Sequence, residues 1–179
     1  MKLVAGNTFP DFTVTTNERE NVSLHSIIDK KTVFWIIRYI GCPVCRYDVH
    51  VLAEKYDQIA EKGYDLYVVM QSDVAHIRKE LSEVTLPFEI ICDSTLEIYK
   101  TLEINPAATK EELRGENPEK LMAKAEKVRE LGFAHGDYEG DELQLPALFI
   151  VDENCEVICS HYGKDITDMP TVDELIESL

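Results

Sequence analysis

The sequence predicts an α/β fold in which a central mixed sheet is flanked by helices. Three observations carry the prediction. Residues 32–40, "TVFWIIRYI", form an unbroken run of β-branched and aromatic side chains with little alternation, the pattern of a strand buried on both faces. From there to about residue 84 the pattern alternates strand, helix, strand, helix, which calls for parallel strands joined by helical crossovers. Residues 145–163, "LPALFIVDENCEVICSHYG", hold two strand patterns around the turn "DEN", a hairpin that adds antiparallel pairing.

Each element follows in order. Gly41 breaks the first strand. Val49, Leu52, Ala53, Tyr56, Ile59 and Ala60 then recur at helical spacing, and Gly63 stands in the stop position. "YDLYVVM" at 64–70 is a second strand, and Ser72 or Asp73 caps a helix whose stripe is Val74, Ile77, Leu81 and Val84. "PFEIICD" at 87–93 is a third strand, followed by Ser94 and Glu97 at capping-box spacing. Residues 105–140 are polar and charge-rich and read as a helical insertion in a single domain spanning 1–179. Within it, Asn117 and Pro118 start a helix with Leu121, Ala125, Val128 and Leu131 on one face, stopped at Gly132. Thr171 and Glu174 repeat the capping-box spacing at the start of a final short helix.

Composition narrows the function. A net charge of −16 repels phosphate backbones and anionic lipid, so neither nucleic acid nor membrane is an expected partner. The longest apolar run is interrupted by Arg38, and the N-terminal apolar patch is too brief for a secretory signal, so a cytoplasmic location is expected. In such a reducing compartment a Cys-x-x-Cys pair is catalytic or metal-binding more often than structural.

That pair is Cys42 and Cys45, in "RYIGCPVCRYDVH". It lies where a buried strand gives way to a helix, whose first turn offers unpaired N–H groups and the positive end of the helix dipole. A thiolate at Cys42 is stabilised there, which makes it a nucleophile near neutral pH, and such a role expects the sulfur to be exposed at the helix N-terminus. Cys45, one turn on, is placed to attack a mixed disulfide at Cys42 and close the intramolecular bond. Pro43 suits the first helical turn, and Arg38 and Arg46 add positive potential unless carboxylates claim them. A zinc site would need Cys155 and Cys159 as further ligands. These straddle a turn and a strand without loop-borne knuckles, so no metal and no cofactor is expected. Two inert buried thiols are the remaining alternative.

The whole arrangement resembles the peroxiredoxin-like branch of the alkyl hydroperoxide reductase/thiol-specific antioxidant superfamily, which has the thioredoxin-like fold. "GNTFPDFTV" is similar to its N-terminal segment before a small hairpin, "VFWIIRYIGCPVCR" to its strand–turn–helix, residues 145–163 to its later hairpin, and "DITDMPTVDELIESL" to its ending. The resemblance implies Cys42 as attacking thiol, Cys45 as resolving thiol, and a cis Leu145–Pro146 bond facing them that frees the backbone at Leu145 for a peptide substrate. It also implies a disulfide or hydroperoxide substrate, an external thiol reductant such as a thioredoxin system, and a homodimer.

The chain departs from the family pattern. Peroxiredoxins carry P-x-x-x-T/S-x-x-C, and neither cysteine fits that frame. Tyr39 and Trp35 precede Cys42 at those spacings, and Cys42 and Arg38 precede Cys45. No arginine follows Arg129. Where thioredoxins hold a buried carboxylate on the strand, this chain has Ile36, leaving proton handling at Cys45 to water or to another residue. The reading is therefore a thiol–disulfide oxidoreductase, with a thiol peroxidase or a redox-inactive binding module presenting the 105–140 insertion as alternatives. Cys92 and Cys159 read as core residues, Cys155 as an exposed turn residue, His50 as surface, and His161 and Tyr162 as candidates to approach the site. Lys120, Lys124 and Lys127 read as a solvated helix face.

Overall fold

The computed structural model describes all 179 residues. A five-stranded sheet is built from β3 (Lys31–Ile36), β4 (Tyr64–Met70), β5 (Glu89–Cys92), β6 (Ala147–Val151) and β7 (Val157–Tyr162), in the order β5-β4-β3-β6-β7. The first three are parallel, and β6 and β7 add antiparallel strands to the other side of β3. A small hairpin of β1 (Thr13–Val14) and β2 (Val22–Ser23) precedes the sheet.

Alternation along the strands divides the core. Val33, Trp35, Leu66, Val68, Met70, Leu148 and Ile150 point to one face, under helices α2 (Pro43–Glu61), α3 (Val74–Glu80) and α7 (Val172–Ser178). Phe34, Ile36, Tyr67, Val69, Phe149 and Val151 point to the other, under the N-terminal segment, α1 (Leu24–Ile27) and α4 (Glu97–Thr101). With both faces covered, the central strands carry apolar side chains on each, which is why "TVFWI" does not alternate.

Three expectations shift. α3 ends at Glu80, so Val84 lies outside it and is exposed. β3 ends at Ile36 and not at Ile40, because its pairing with β6 stops at Ala147 and the next residue, Pro146, has no N–H to donate. Ile37 N–H still donates to Val69 O at 3.0 Å, and the Arg38 carbonyl accepts from Gln71 N–H at 2.7 Å, before the chain turns away through the buried Tyr39 and Ile40 to Gly41. Ser94 does not cap α4. The carboxylate of Asp93 accepts from the N–H groups of Glu97 and Ile98, at 2.9 and 2.8 Å, and a charged acceptor makes the stronger bond. The capping box of Thr171 and Glu174 forms as expected, as does the Asn117 cap of α6 (Pro118–Glu130).

The insertion holds α5 (Lys110–Arg114) and α6, and α6 lies against α2. Its buried face carries Val128 together with the half-buried Leu121, Lys124 and Ala125, so Lys124 is not on a solvated face, as position alone suggested. After α6 the chain returns as a strap, residues 133–142, across the carboxyl ends of the parallel strands. Gly136 N–H donates to Gly41 O at 2.8 Å, and Asp141 N–H donates to Gln71 Oε1 at 2.6 Å. A Cβ at Gly41 would stand 2.2 Å from the backbone oxygen of Asp137, so only glycine admits the strap at this height. Gly41→Ala is expected to lift the strap and accelerate iodoacetamide labelling of Cys42. An unchanged labelling rate would show that the strap does not cover the thiol.

Cys155 and Cys159 exchange their expected places. The turn after β6 carries Cys155 at φ +62° under the N-terminal segment, whose Phe9 N–H donates to Cys155 O, and the thiol is buried. Cys159 lies on β7, the uncovered edge of the sheet, and is exposed. Cys155 belongs to the opposite face of the sheet from Cys42 and Cys45, so no four-cysteine cluster forms.

Candidate active site

α2 begins at Pro43 with Cys42 as its N-cap, the placement that strand, glycine and proline predicted. The Cys42 sulfur does what a capping oxygen does elsewhere: it accepts from the N–H of Cys45 at 3.4 Å. It also accepts from Arg38 Nη2 at 2.8 Å. Arg38 leaves the end of β3 and is fixed in turn by Nη1 donating to the carbonyl of Glu142 in the strap, at 2.6 Å.

These contacts separate the two thiols. Cys42 is pulled down to about 6, first by the hydrogen bond from the Cys45 thiol and then by the charge and hydrogen bond of Arg38 and the Cys45 amide, which together outweigh burial. Cys45 is pushed well up, by burial first and then by the same thiol–thiolate bond seen from its other end. Burial opposes the charge on Arg38, but the sulfurs of Cys45 and Cys42 more than restore it and its pKa is raised. One thiolate, one thiol held as its partner and one locked cation is the division of labour that thiol exchange requires.

Arg46, the other expected cation, is spent elsewhere. It pairs with Glu80 at 3.3 Å and lies over the ring of Phe133, tying α2 to α3 and the strap. Cys42 was expected to be accessible, and it is not: it is 0% exposed, beneath Arg38 and the strap. The thiolate is thus held in a closed site. Tyr39 OH and His135 Nε2, 3.1 Å apart, form a further tie between the segment before Cys42 and the strap.

The expected cis-proline is absent, since the chain contains no cis peptide bond. Pro146 directly precedes β6, its carbonyl accepting from Gly163 N–H at 2.9 Å, and a trans proline at a strand entry leaves no donor unpaired. The Leu145 carbonyl accepts from Gln144 Nε2 at 3.1 Å. Pro146 does reach the site: with Arg38, Cys45, Asp48 and Gln144 it lines a small cavity beside Cys45. His161 and Tyr162 do not. His161 Nε2 meets the carbonyl of Asp168 at 2.7 Å, and Tyr162 OH binds the backbone of Leu3 and Leu102.

The sequence reading missed Asp48. It follows Cys45 by three residues, so it lies on the same buried helix face, and one oxygen receives Trp35 Nε1 at 3.4 Å while the other meets Lys124 Nζ at 2.6 Å. Asp48 therefore places a carboxylate beside Cys45 from the helix, where the strand offers only Ile36. The signal was available: an aspartate breaking the apolar stripe that runs through Val49 and Leu52, and a lysine inside the stripe of Leu121 and Val128.

Comparison with known proteins places the fold and the family. No curated protein sequence matches the chain. Among solved structures, a cysteine-to-serine mutant of peroxiredoxin 6 of Arenicola marina matches with TM-score 0.73 at 15% identity, over 98% of this chain and 71% of that one. A yeast mitochondrial 1-Cys peroxiredoxin matches with TM-score 0.70 at 13% identity, over 98% and 74%. Enterococcus faecalis AhpC matches with TM-score 0.68 at 14% identity, over 100% and 91%. Likeness at these identities establishes the thioredoxin-like fold, with its mixed sheet between helices. The sequence itself goes further: residues 5–159 match the AhpC/TSA family, so the chain belongs to that family and its function is thiol-dependent redox chemistry.

Proposed function

We propose that the chain is a thiol–disulfide oxidoreductase in which Cys42 attacks and Cys45 resolves. One observation carries this reading: the sulfur held as thiolate accepts its hydrogen bonds from Arg38 and from the residue that must attack it next. The Cys42 thiolate attacks one sulfur of a substrate disulfide, forms a mixed disulfide and expels the other sulfur as a thiolate. Cys45 then gives its proton toward Asp48, attacks the Cys42 sulfur, closes the Cys42–Cys45 disulfide and releases the second substrate thiolate. The substrate gains two electrons and the protein loses two, which an external dithiol returns. The yeast mitochondrial 1-Cys peroxiredoxin has its thiol resolved via glutathione and thioredoxin systems, and a reductant of that class would reopen the Cys42–Cys45 disulfide.

A second substrate class, the hydroperoxides, is favoured by a different observation. Cys42 has no exposed surface, and Arg38 Nε beside it is buried with no hydrogen-bond partner. That free donor suits a small oxygen ligand better than a peptide. The Cys42 thiolate would take the terminal oxygen of the peroxide, forming a sulfenic acid and releasing the alcohol, and Cys45 would displace water from it to give the same disulfide.

One variant tests both. Cys45→Ser keeps Cys42 but cannot resolve, so it is expected to accumulate a mixed disulfide with a peptide disulfide, visible by mass spectrometry. Reaction of its Cys42 with hydrogen peroxide, followed by stopped flow, is expected to be no faster than that of a free low-pKa thiol. Fast sulfenic acid formation without any peptide adduct would replace the first reading by the second, and inertness toward both would reject the assignment of Cys42.

A further inference from the structure

The strap that closes the site is anchored on its far side by a cluster that the redox chemistry does not use. Asp73 caps α3, His76 lies one turn along it, and Glu139 reaches down from the strap. Their ligand atoms lie within 4.8 Å of one another. Asp73 Oδ1 is 2.8 Å from His76 Nδ1, which is 3.2 Å from Glu139 Oε2. Bonds of about 2.0–2.1 Å from a tetrahedral zinc ion put neighbouring ligand atoms roughly 3.3 Å apart, so these separations are close to those that a shared ion imposes.

Glu139 supplies the independent sign that the cluster is incomplete. Its side chain is only 10% exposed, and its Oε1 is buried with no hydrogen-bond partner. A buried carboxylate oxygen without a partner has lost its hydration with nothing to replace it, and a cation restores what was lost. Both carboxylate oxygens hang from one carbon, so an ion placed against Oε2 and His76 Nδ1 is also within reach of the orphan.

The charge balance points the same way. Asp73, Glu139 and Asp137 set three carboxylates around one imidazole, with Lys79 as the only ammonium, bound to Asp137 at 3.1 Å. The second nitrogen of the ring, His76 Nε2, faces Asp137 Oδ2 at 3.4 Å. That is the outer carboxylate that commonly fixes the tautomer of a metal-bound histidine.

We propose that Asp73, His76 and Glu139 bind one divalent first-row metal ion of zinc-like character, which fastens the strap to α3. One imidazole and two carboxylates suit zinc, iron or manganese, and leave a fourth position to water. Glu139 is the only ligand from the strap, so the ion joins two segments that are otherwise held by hydrogen bonds.

The test uses the full chain carrying Cys42→Ser and Cys45→Ser, so that the thiol pair cannot itself take zinc. Titration calorimetry with zinc chloride is expected to give one site per chain, and added zinc to slow amide hydrogen exchange across residues 133–142. His76→Ala and, separately, Glu139→Gln are expected to weaken binding at least tenfold and to remove the effect on exchange. Glu139→Gln keeps the shape of the side chain, so it decides the matter if His76→Ala folds poorly. No zinc site, or a site whose affinity both variants leave unchanged, would overturn the proposal.

Discussion

Cys42→Ser is expected to abolish thiol-dependent turnover, and Arg38→Met to move the pH profile of Cys42 rather than to silence it. In the wild-type chain Cys42 ionises near 6, so the rate of its alkylation or of mixed-disulfide formation should rise through pH 6 and level off above about pH 7. Removing Arg38 takes away a charge and a 2.8 Å hydrogen bond that both favour the thiolate, so the inflection moves up, toward the ordinary 9.0. The limit of the effect can be bounded. A full return would cut the thiolate fraction at pH 6 from about one half to about one thousandth, roughly 500-fold. A more basic thiolate is intrinsically more nucleophilic, which restores about 20-fold and leaves a loss of about 20-fold at pH 6. At pH 8 the thiolate fraction falls only about 11-fold, which the same gain in nucleophilicity offsets, so the loss disappears. A variant slowed equally at every pH would mean that Arg38 positions the substrate and does not stabilise the sulfur.

The sequence made the frame of this site readable and hid its lid. Cys42, Pro43 and Cys45 lie within four residues, and the physics of a helix start is local, so their placement follows from spacing alone. The strands, too, announce themselves: "YDLYVVM" coincides with β4, because a parallel central strand must be apolar on both sides. What closes the site comes from far along the chain. Arg38 is fixed by the carbonyl of Glu142 and Gly41 by the strap at Gly136 and Asp137, about a hundred residues away. No periodicity in "AHGDYEGDE" encodes that contact, and burial of Cys42 was therefore not foreseen. The same holds for Pro146: nothing in "QLPAL" sets its peptide geometry, and only the family resemblance implies a cis bond. Cys155 and Cys159 show a third kind of failure. Apolar neighbours cannot distinguish a covered strand from a sheet edge, and the turn that buries Cys155 does so only because the N-terminal segment lies over it.

Lys124→Met is expected to destabilise the chain by about 3 kcal/mol, the lower end of the range for breaking a buried ion pair by removing one partner. Asp48 is 10% exposed and Lys124 20%, so the carboxylate cannot fall back on bulk water, and Trp35 Nε1 at 3.4 Å is a weak substitute. For a chain of this size the loss corresponds to a fall in Tm of roughly 6–12 °C. Asp48→Asn combined with Lys124→Met leaves no uncompensated charge and should recover most of that loss, even though it removes more polar contacts than the single change. The double variant also isolates the chemical role of the carboxylate. If Asp48 receives the proton of Cys45, the folded double variant should attack a peptide disulfide at the wild-type rate and then stall, with the mixed disulfide at Cys42 persisting in quenched samples. The burial that raises Cys45 is unchanged by either substitution, so its thiol would still need a base that the cavity no longer contains. Normal stability in Lys124→Met would show that water reaches Asp48. Normal resolution in the double variant would assign the proton to solvent and leave the pair a purely structural tie between α2 and the insertion.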